Sequence, residues 1–135
     1  MNDPNKKSVL IVDDEEIIRN FLSEVLGEKY DVSLASDGDE AIEQIKKRRF
    51  DLIITDLKMP RVPGEEVVKF AQQQDPTSRV IVISGFSNLY MVSQSINNGA
   101  CAFLSKPFSI KELMETVTDA VNGRGYPNDK DPDHR

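Results

Sequence analysis

Residues 51–60 read DLIITDLKMP, an apolar run from Leu52 to Ile54 that ends at the acidic Asp56. A short continuous run of aliphatic, β-branched residues is typical of a strand buried on both faces, as in a parallel sheet. The runs Val9–Val12 and Val80–Ile83 have the same character. The segment therefore predicts a central strand of a parallel sheet, with a carboxylate at its carboxyl end.

Two weaker strand signals and five helical stripes complete the pattern. Val32 and Leu34 alternate with polar neighbours, which indicates an edge strand, and residues 102–104 form the last apolar run. The helical stripes consist of Ile17, Ile18, Phe21, Leu22, Val25 and Leu26; of Ala41, Ile42 and Ile45; of Val67, Val68, Phe70 and Ala71; of Leu89, Val92 and Ile96; and of Leu113, Val117 and Val121. Strands that alternate with helices predict an α/β fold, a doubly wound five-stranded parallel sheet with five helices and right-handed crossovers.

Two helix starts and one helix end have recognisable signals. Asp37 with Glu40 and Ser109 with Glu112 have the spacing of a capping box, in which the N-cap side chain and the N3 carboxylate each accept a backbone N–H. The basic run over residues 46–49 lies where the helix dipole favours positive charge, and we expect it to be solvated.

The composition limits the kinds of function. The chain has 135 residues, a formal net charge of −6 and 39% hydrophobic residues, which suits one domain and leaves no apolar run long enough to span a membrane. Because nucleic-acid phosphates repel an acidic domain, direct nucleic-acid binding is not expected. The single Cys101 and the single His134 provide neither an internal disulfide nor a Cys/His zinc site.

We expect one domain over residues 8–122. Residues 1–7 form a polar N-terminal segment that lacks the apolar stretch of a signal peptide. Residues 123–135 are polar with several Gly, Pro and Asp residues, which predicts a disordered tail or a linker. A cytoplasmic location is the expectation.

Polar side chains follow the predicted strands at the same end. Asp13, Asp14 and Glu15 follow the first strand, Asp56 the third, Ser84 the fourth and Lys106 the last. Open α/β sheets bind ligands beyond the carboxyl ends of their strands. If the strand order is 2-1-3-4-5, these side chains converge in one shallow pocket.

The chemistry of that pocket points to phosphoryl transfer. Two unit charges about 4 Å apart repel by on the order of 4 kcal/mol at an effective dielectric of about 20, so three carboxylates require either a proton or a cation between them. Carboxylate oxygens suit Mg²⁺, with Mn²⁺ as an alternative. Lys106 and the Ser84 hydroxyl supply the positive charge and the donor that a transferred phosphoryl group requires, and an aspartate is an established nucleophile.

At these segments the sequence resembles the response-regulator receiver domains of two-component systems, the CheY-like superfamily. The resemblance is carried by VLIVDDEE from Val9, DLIITDLKMP from Asp51, VIVISGF from Val80 and FLSKPF from Phe103, and it spans residues 8–122. It implies a flavodoxin-like fold with strand order 2-1-3-4-5.

The resemblance also implies a role for each polar residue. Asp56 is the implied acceptor of a phosphoryl group from a sensor histidine kinase or a phosphotransfer protein. Asp13 and Asp14, with Asp56 and the backbone carbonyl of Lys58, are the implied ligands of Mg²⁺. Lys106 is implied to contact the phosphate.

Switching of partner binding is implied by two further matches. Ser84 matches the switch hydroxyl of the family and Phe103 the position of its switch aromatic. Their movement is implied to change the face made by the fourth helix, the last strand and the last helix, where a downstream protein or a second copy of the chain would bind. Candidate exposed members of that face are Tyr90, Met91 and Lys111.

The Lys106-Pro107 bond and Phe86 each lead to a more specific expectation. The bond between Lys106 and Pro107 is often cis in the family, and an X-Pro bond makes that form accessible. Phe86 lies where the family varies, and we hypothesise that its bulk limits access of water and lengthens the phosphorylated lifetime.

Other functions stay open at this point. The main alternative is a pseudo-receiver, a protein-interaction module that takes no phosphate, although neither the acceptor, the acids nor the lysine is missing here. A flavin-binding protein of this topology requires a Ser/Thr/Gly-rich phosphate loop where the chain has Asp13 and Asp14, and a dinucleotide-binding domain requires a G-x-G-x-x-G motif that is absent. A haloacid-dehalogenase-type phosphatase requires a second Asp at the position of Lys58.

Simpler structural roles are also available to several of these residues. Asp13 and Asp14 suit the start of a helix, Asp56 suits a turn, and Phe103 suits a core. No output domain is visible, so the chain is either a receiver that acts alone or a fragment of a larger regulator. In both cases we expect no enzymatic activity beyond its own phosphorylation and dephosphorylation.

Overall fold

The computed structural model describes residues 5–85 and 88–123. In chain order the elements are β1 (Ser8–Val12), α1 (Glu16–Leu26), β2 (Asp31–Ala35), α2 (Gly38–Lys47), β3 (Leu52–Asp56), α3 (Gly64–Gln74), β4 (Arg79–Ser84), α4 (Leu89–Asn97), β5 (Ala102–Ser105) and α5 (Ile110–Val121). Among the helices of these residues, none combines the length and the apolar character needed to cross a membrane.

The five strands form one parallel sheet in the order β2-β1-β3-β4-β5. The predicted fold class and strand order are therefore confirmed. β3 lies at the centre of the sheet, and all five of its residues are buried, as its continuous apolar sequence predicts. β2 lies at an edge, as the alternation of Val32 and Leu34 predicts.

The sheet has a hydrophobic core on each face, because successive side chains of a strand point to opposite sides. On one face, residues such as Ile11 and Ile54 pack against α1 and α5 through Leu22 and Leu113. On the other face, residues such as Leu10, Ile53 and Val82 pack against α2 and α3, and the helices contribute Ala41, Ile45, Val67, Val68 and Ala71. Burial of each large aliphatic side chain contributes roughly 1.5–3 kcal/mol to folding.

The two capping signals have different outcomes. At α5 the box is complete, since Ser109 Oγ accepts the Glu112 N–H at 3.0 Å and Glu112 accepts the Ser109 N–H at 3.0 Å. At α2 the Asp37 side chain accepts the Glu40 N–H at 2.8 Å, but the Glu40 carboxylate accepts the N–H of Ser36 at 2.6 Å. The expected box at α2 is therefore corrected to a related arrangement that reaches one residue further back.

The predicted stripe of α1 contains one residue that is not part of the core. Leu22 and Leu26 are fully buried, whereas the side chain of Ile17 is 82% exposed. Ile17 lies in the first turn of α1, where its neighbour Ile18 is the residue that packs against the core.

Among the five described helices, α4 buries the fewest residues. Its buried residue is Ser95, and Leu89 and Tyr90 at its start are 83% and 71% exposed. A groove of about 640 Å³ separates α4 from the loop between β3 and α3, and Leu57, Met59, Pro63, Tyr90 and Met91 contribute to its lining.

Ion pairs connect the amino ends of the central strands. The Asp51 carboxylate accepts the Ser8 N–H at 2.8 Å and the Arg49 guanidinium at 2.5 Å, and Arg49 also donates to Asp75 at 2.7 Å. Arg49 is exposed, as predicted for a solvated basic run, but it lies two residues beyond the end of α2, and its charge is paired with Asp51 and Asp75.

Candidate functional site

Four of the predicted polar residues lie together at the carboxyl edge of the sheet. Asp13 directly follows β1, Asp56 and Ser84 end β3 and β4, and Lys106 directly follows β5. The backbone N–H of Lys106 donates to the Ser84 carbonyl at 2.9 Å. Because β1, β3, β4 and β5 are neighbours in the sheet, these side chains share one pocket.

The Lys106 ammonium connects the acidic residues of the pocket. Its Nζ lies 3.2 Å from Asp13 Oδ2, 3.1 Å from Asp56 Oδ2 and 3.0 Å from Glu15 Oε1. The side chain of Lys106 is 14% exposed, that of Asp13 is 0% and that of Asp56 is 7%. Buried charges of this kind require a partner, and here one cation is shared among three carboxylates.

The electrostatics of the pocket reflect this excess of negative charge. Burial raises the pKa of the Asp13 carboxyl, and the charge of Asp56 raises it further, against the opposing effects of the Glu15 N–H and of Lys106. Burial disfavours the charged form of Lys106, but the Glu15 hydrogen bond and the charges of Asp56 and Asp13 outweigh it and raise the pKa of the ammonium. Lys106 is therefore a permanent cation at neutral pH.

The backbone around Asp56 fixes its carboxylate. The N–H of Lys58 donates to Asp56 Oδ1 at 3.2 Å, and the Gly64 N–H donates to the Leu57 carbonyl at 2.8 Å. Gly64 lies against the peptide group that joins Asp56 and Leu57. A Cβ built on Gly64 would be 1.9 Å from the Asp56 carbonyl oxygen. The start of α3 therefore abuts the residue that ends β3.

Ser84 and Phe103 occupy different environments. Ser84 is 1% exposed and lies at the end of β4 beside Asp56, whose strand partner is Ile83. Phe103 pairs with Val82 and packs, partly buried, against the core that includes α2 and α3. Phe103 thus has the core contacts that the simpler structural role predicts, on the strand that Lys106 directly follows.

The structure groups Glu15 with the buried acids and leaves Asp14 outside. Carboxylate oxygens of Asp13, Glu15 and Asp56 all lie within 4.8 Å of one another, whereas Asp14 is exposed. The sequence placed Glu15 after the first strand together with Asp13 and Asp14 but gave it no role. Asp13 Oδ1 accepts the Glu15 N–H at 2.9 Å.

Arg61 is a second residue that the sequence did not reveal. It has a positive φ of 66°, and its guanidinium donates to Asp37 at 2.9 Å and to Asp39 at 3.3 Å. These contacts join the loop after Asp56 to the start of α2. No local pattern distinguishes this arginine from an ordinary loop residue.

The acidic residues fit a divalent cation. Oxygen ligands that are close together and carry more negative charge than Lys106 neutralises are the donor set that Mg²⁺ prefers. Asp13, Glu15 and Asp56 have this geometry among the described residues.

Three other expectations have mixed outcomes. The Lys106-Pro107 bond is cis, as expected. Tyr90 and Lys111 are exposed and Met91 is half-buried. Phe86, the His134 end of the chain and most of the predicted tail lie outside the described residues.

An apolar surface borders the pocket. Ile17 lies one turn before Phe21 on α1, and the Phe21 ring centroid is 6.4 Å from that of Phe108 in the loop after β5. Ile110 at the start of α5 is 53% exposed and Ile17 is 82% exposed. Exposed large apolar side chains at the starts of two helices are candidates for contact with another molecule.

Comparison with known proteins agrees with the fold. The family model described as the response regulator receiver domain matches residues 9–118. Sporulation initiation phosphotransferase F of Bacillus subtilis is 36% identical over 112 residues, which cover 82% of this chain and 90% of that protein.

Two further matches differ in how much of the other protein they cover. The response regulator protein PilR of Pseudomonas aeruginosa is 36% identical over 121 residues, which are 89% of this chain but only 27% of that protein. A crystal structure of a CheY-like receiver domain protein from Methanospirillum hungatei is 29% identical and superposes with a TM-score of 0.84, over 88% of this chain and 96% of the other.

Proposed function

The chain belongs to the response regulator receiver domain family, and from that premise we propose that it accepts a phosphoryl group on Asp56 and so switches the binding of a partner. The observation that carries the proposal is the contact between the buried Asp56 carboxylate and the Lys106 ammonium, at 3.1 Å, beside a second buried acid at the carboxyl edge of the sheet.

In the proposed reaction the Asp56 carboxylate is the nucleophile. One of its oxygens forms a bond to phosphorus while the bond from phosphorus to the donor's histidine nitrogen breaks, and the imidazole leaves with that electron pair. Lys106 neutralises charge on the phosphoryl oxygens, and the Ser84 hydroxyl donates to one of them. Such fixed charges and donors lower the barrier to phosphoryl transfer because they need not reorganise during the reaction.

Asp13, Asp14, Asp56 and the backbone carbonyl of Lys58 are the residues we propose to hold Mg²⁺, or Mn²⁺ in its place. The ion supplies positive charge next to the phosphoryl oxygens when it is bound. The proximity of Asp13 and Asp56 supports this assignment. Asp14, which faces solvent, is proposed as a ligand on the resemblance of its motif alone.

A sensor histidine kinase or a phosphotransfer protein is the proposed donor. The exposed Ile17 and Ile110 beside the pocket support a protein donor, because apolar surface next to a reactive group favours docking of another protein. The name of the Bacillus subtilis relative describes that protein as a phosphotransferase, which is consistent with transfer of a phosphoryl group between proteins.

The proposed output is a change in the face formed by α4, β5 and α5. Movement of Ser84 toward the phosphate, with rotation of Phe103 behind it, would favour one of two pre-existing conformations. A downstream protein, an output domain or a second copy of the chain is the proposed partner of that face. The coverage of PilR is consistent with an output domain in some relatives.

Intact mass spectrometry tests the phosphorylation directly. The protein is incubated with Mg²⁺ and acetyl phosphate, and we expect a gain of one phosphoryl group that Asp56→Asn abolishes. Asp119→Asn removes an exposed aspartate near the end of α5 and should leave the gain unchanged.

Two results would count against the proposal. No mass gain under forcing concentrations of the phosphodonor would instead favour a protein-interaction module that takes no phosphate. A gain that persists when EDTA removes divalent cations would contradict the roles proposed for Asp13 and Asp14.

A further inference from the structure

Glu15 is a partner of Lys106 that the proposed phosphoryl transfer does not require. Lys106 Nζ donates to Glu15 Oε1 at 3.0 Å, the shortest of its three contacts with carboxylates. An ammonium group has three N–H donors. All three are therefore directed at acidic residues, Asp13, Asp56 and Glu15.

The three carboxylates differ in depth. The side chains of Asp13 and Asp56 are 0% and 7% exposed, whereas that of Glu15 is 62% exposed. Asp13 and Asp56 also accept backbone N–H groups, from Glu15 and from Lys58. The two inner carboxylates are thus fixed, and Glu15 reaches Lys106 from the mouth of the pocket.

Binding of a divalent cation changes which partners Lys106 can keep. A cation held by the inner carboxylates repels the ammonium and competes for the Oδ2 atoms of Asp13 and Asp56 that Lys106 now contacts. Glu15 lies on the solvent side of Lys106. It is the carboxylate that the ammonium can retain when the inner two are engaged.

We propose that Glu15 is a positioning residue, which holds Lys106 at the mouth of the pocket while Mg²⁺ occupies the inner carboxylates. This inference rests on the proposed function, because it assumes that the pocket binds Mg²⁺. It assigns to Glu15 the task of keeping the lysine within reach of an incoming phosphoryl group without excluding the metal.

A double-mutant cycle of Mg²⁺ affinity tests the proposal without any phosphate. Isothermal titration calorimetry gives the Kd of Mg²⁺ for the wild type, Glu15→Gln, Lys106→Met and the double variant. We expect Glu15→Gln to raise the Kd roughly threefold to fivefold, the size of an exposed ion pair, because Lys106 then returns to the inner carboxylates. In the Lys106→Met background the same change should raise it less than about twofold.

The matched control is Glu16→Gln, which removes the same charge from the neighbouring exposed residue of α1. A Kd for Glu15→Gln that equals that of Glu16→Gln would overturn the proposal. An equal rise in the absence of Lys106 would also overturn it, because Glu15 would then act on the metal directly. Failure of the wild type to bind Mg²⁺ would overturn it as well.

A spectroscopic measurement covers the case in which Lys106→Met does not fold. In ¹⁵N-labelled protein saturated with Mg²⁺, an ordered Lys106 ammonium gives a side-chain signal that is protected from solvent exchange. We expect that signal in the wild type and in Glu16→Gln and its loss in Glu15→Gln; retention in Glu15→Gln would contradict the role. Phosphorylation of the wild type by acetyl phosphate separately tests the proposed function.

Discussion

Asp13 shows how a residue at a binding site opposes the stability of the fold. Its carboxyl is fully buried, and burial raises its pKa above the unfolded value. An acid whose folded pKa is raised destabilises the folded state at neutral pH, and this penalty disappears as the pH falls below the unfolded pKa of about 3.9.

We therefore expect Asp13→Asn to raise the free energy of unfolding at pH 7 in the presence of EDTA. The asparagine keeps an oxygen that can accept the Glu15 N–H and removes the uncompensated charge. Urea unfolding at a series of pH values measures the effect, which should shrink as the pH approaches 4. A variant that is less stable than the wild type at pH 7 would contradict this explanation.

Gly64 is required for a steric reason. A Cβ at this position would lie 1.9 Å from the Asp56 carbonyl oxygen and 2.8 Å from the Leu57 Cα, and backbone atoms of this kind cannot move aside as a side chain can. Gly64→Ala should therefore lower the free energy of unfolding by about 3 kcal/mol and slow phosphorylation of Asp56, as measured by denaturant unfolding and by intact mass.

The control for Gly64 is Gly85→Ala. A Cβ on Gly85 would be 3.8 Å from the Lys106 side chain, an ordinary contact, so the change in stability should be less than about 1 kcal/mol. Similar losses in the two variants would show that the close approach at Gly64 is not the cause.

The residues of the pocket were predictable to different degrees. Asp56, Ser84 and Lys106 follow apolar runs, and the end of a parallel strand determines where the next side chain lies. The contact of Glu15 with Lys106 was not predictable, because the turn between β1 and α1 decides which of four consecutive acids reach the lysine. Arg61 depends in the same way on a backbone conformation that its sequence does not indicate.

At the level of elements, the start of α1 carries an apolar side chain that the fold does not bury. Ile17 is 82% exposed, and the proposed function assigns it to docking of a protein donor. Ile17→Ala should lower the rate of phosphotransfer from a purified histidine kinase that phosphorylates the wild type, by about fivefold, the cost of truncating a moderate interface residue. The rate with acetyl phosphate should stay unchanged.

Leu89→Ala is the matched control, since Leu89 is equally exposed but belongs to α4. It should leave both rates unchanged. If Ile17→Ala slows phosphorylation by acetyl phosphate to the same extent as transfer from the kinase, its effect is on the pocket and the docking role is wrong.

Local sequence signals predicted the strands and helix starts correctly where only one pattern was present. Continuous apolar runs identified β1, β3 and β4, and the Ser109 and Glu112 pair identified the start of α5. The pattern was less successful where one carboxylate could accept either of two N–H groups, as at Glu40, whose carboxylate accepts the Ser36 N–H rather than that of Asp37. It also misplaced Ile17, because two adjacent apolar residues fit the edge of the same helical stripe and the core takes Ile18.

On the scale of the whole molecule, carboxylates at the two edges of the sheet have opposite effects on the stability of the fold. At the amino edge, burial alone would raise the pKa of Asp51, but the Ser8 N–H and the Arg49 guanidinium outweigh it and lower that pKa. A lowered folded pKa adds stability above the unfolded pKa of about 3.9, and this stability is lost as the pH falls through the folded value.

Asp51→Asn should therefore lower the free energy of unfolding at pH 7 by about 1–3 kcal/mol, the range for a hydrogen bond to a charged group. The difference from the wild type should narrow as the pH falls below 4. Unfolding curves at several pH values measure it, with Asp119→Asn as the control. A difference that stays constant down to pH 2 would mean that the carboxylate charge is not the source.

Because α4 buries few side chains, we expect that it can change position at a small cost in free energy. A helix that buries one residue and borders a groove has few contacts to lose, so its local opening requires much less free energy than global unfolding. Its amide protons should exchange with solvent sooner than those of β3. A partner that prefers one arrangement of α4 by about 1.4 kcal/mol changes the population ratio tenfold, which would be enough for the switching of partner binding proposed above.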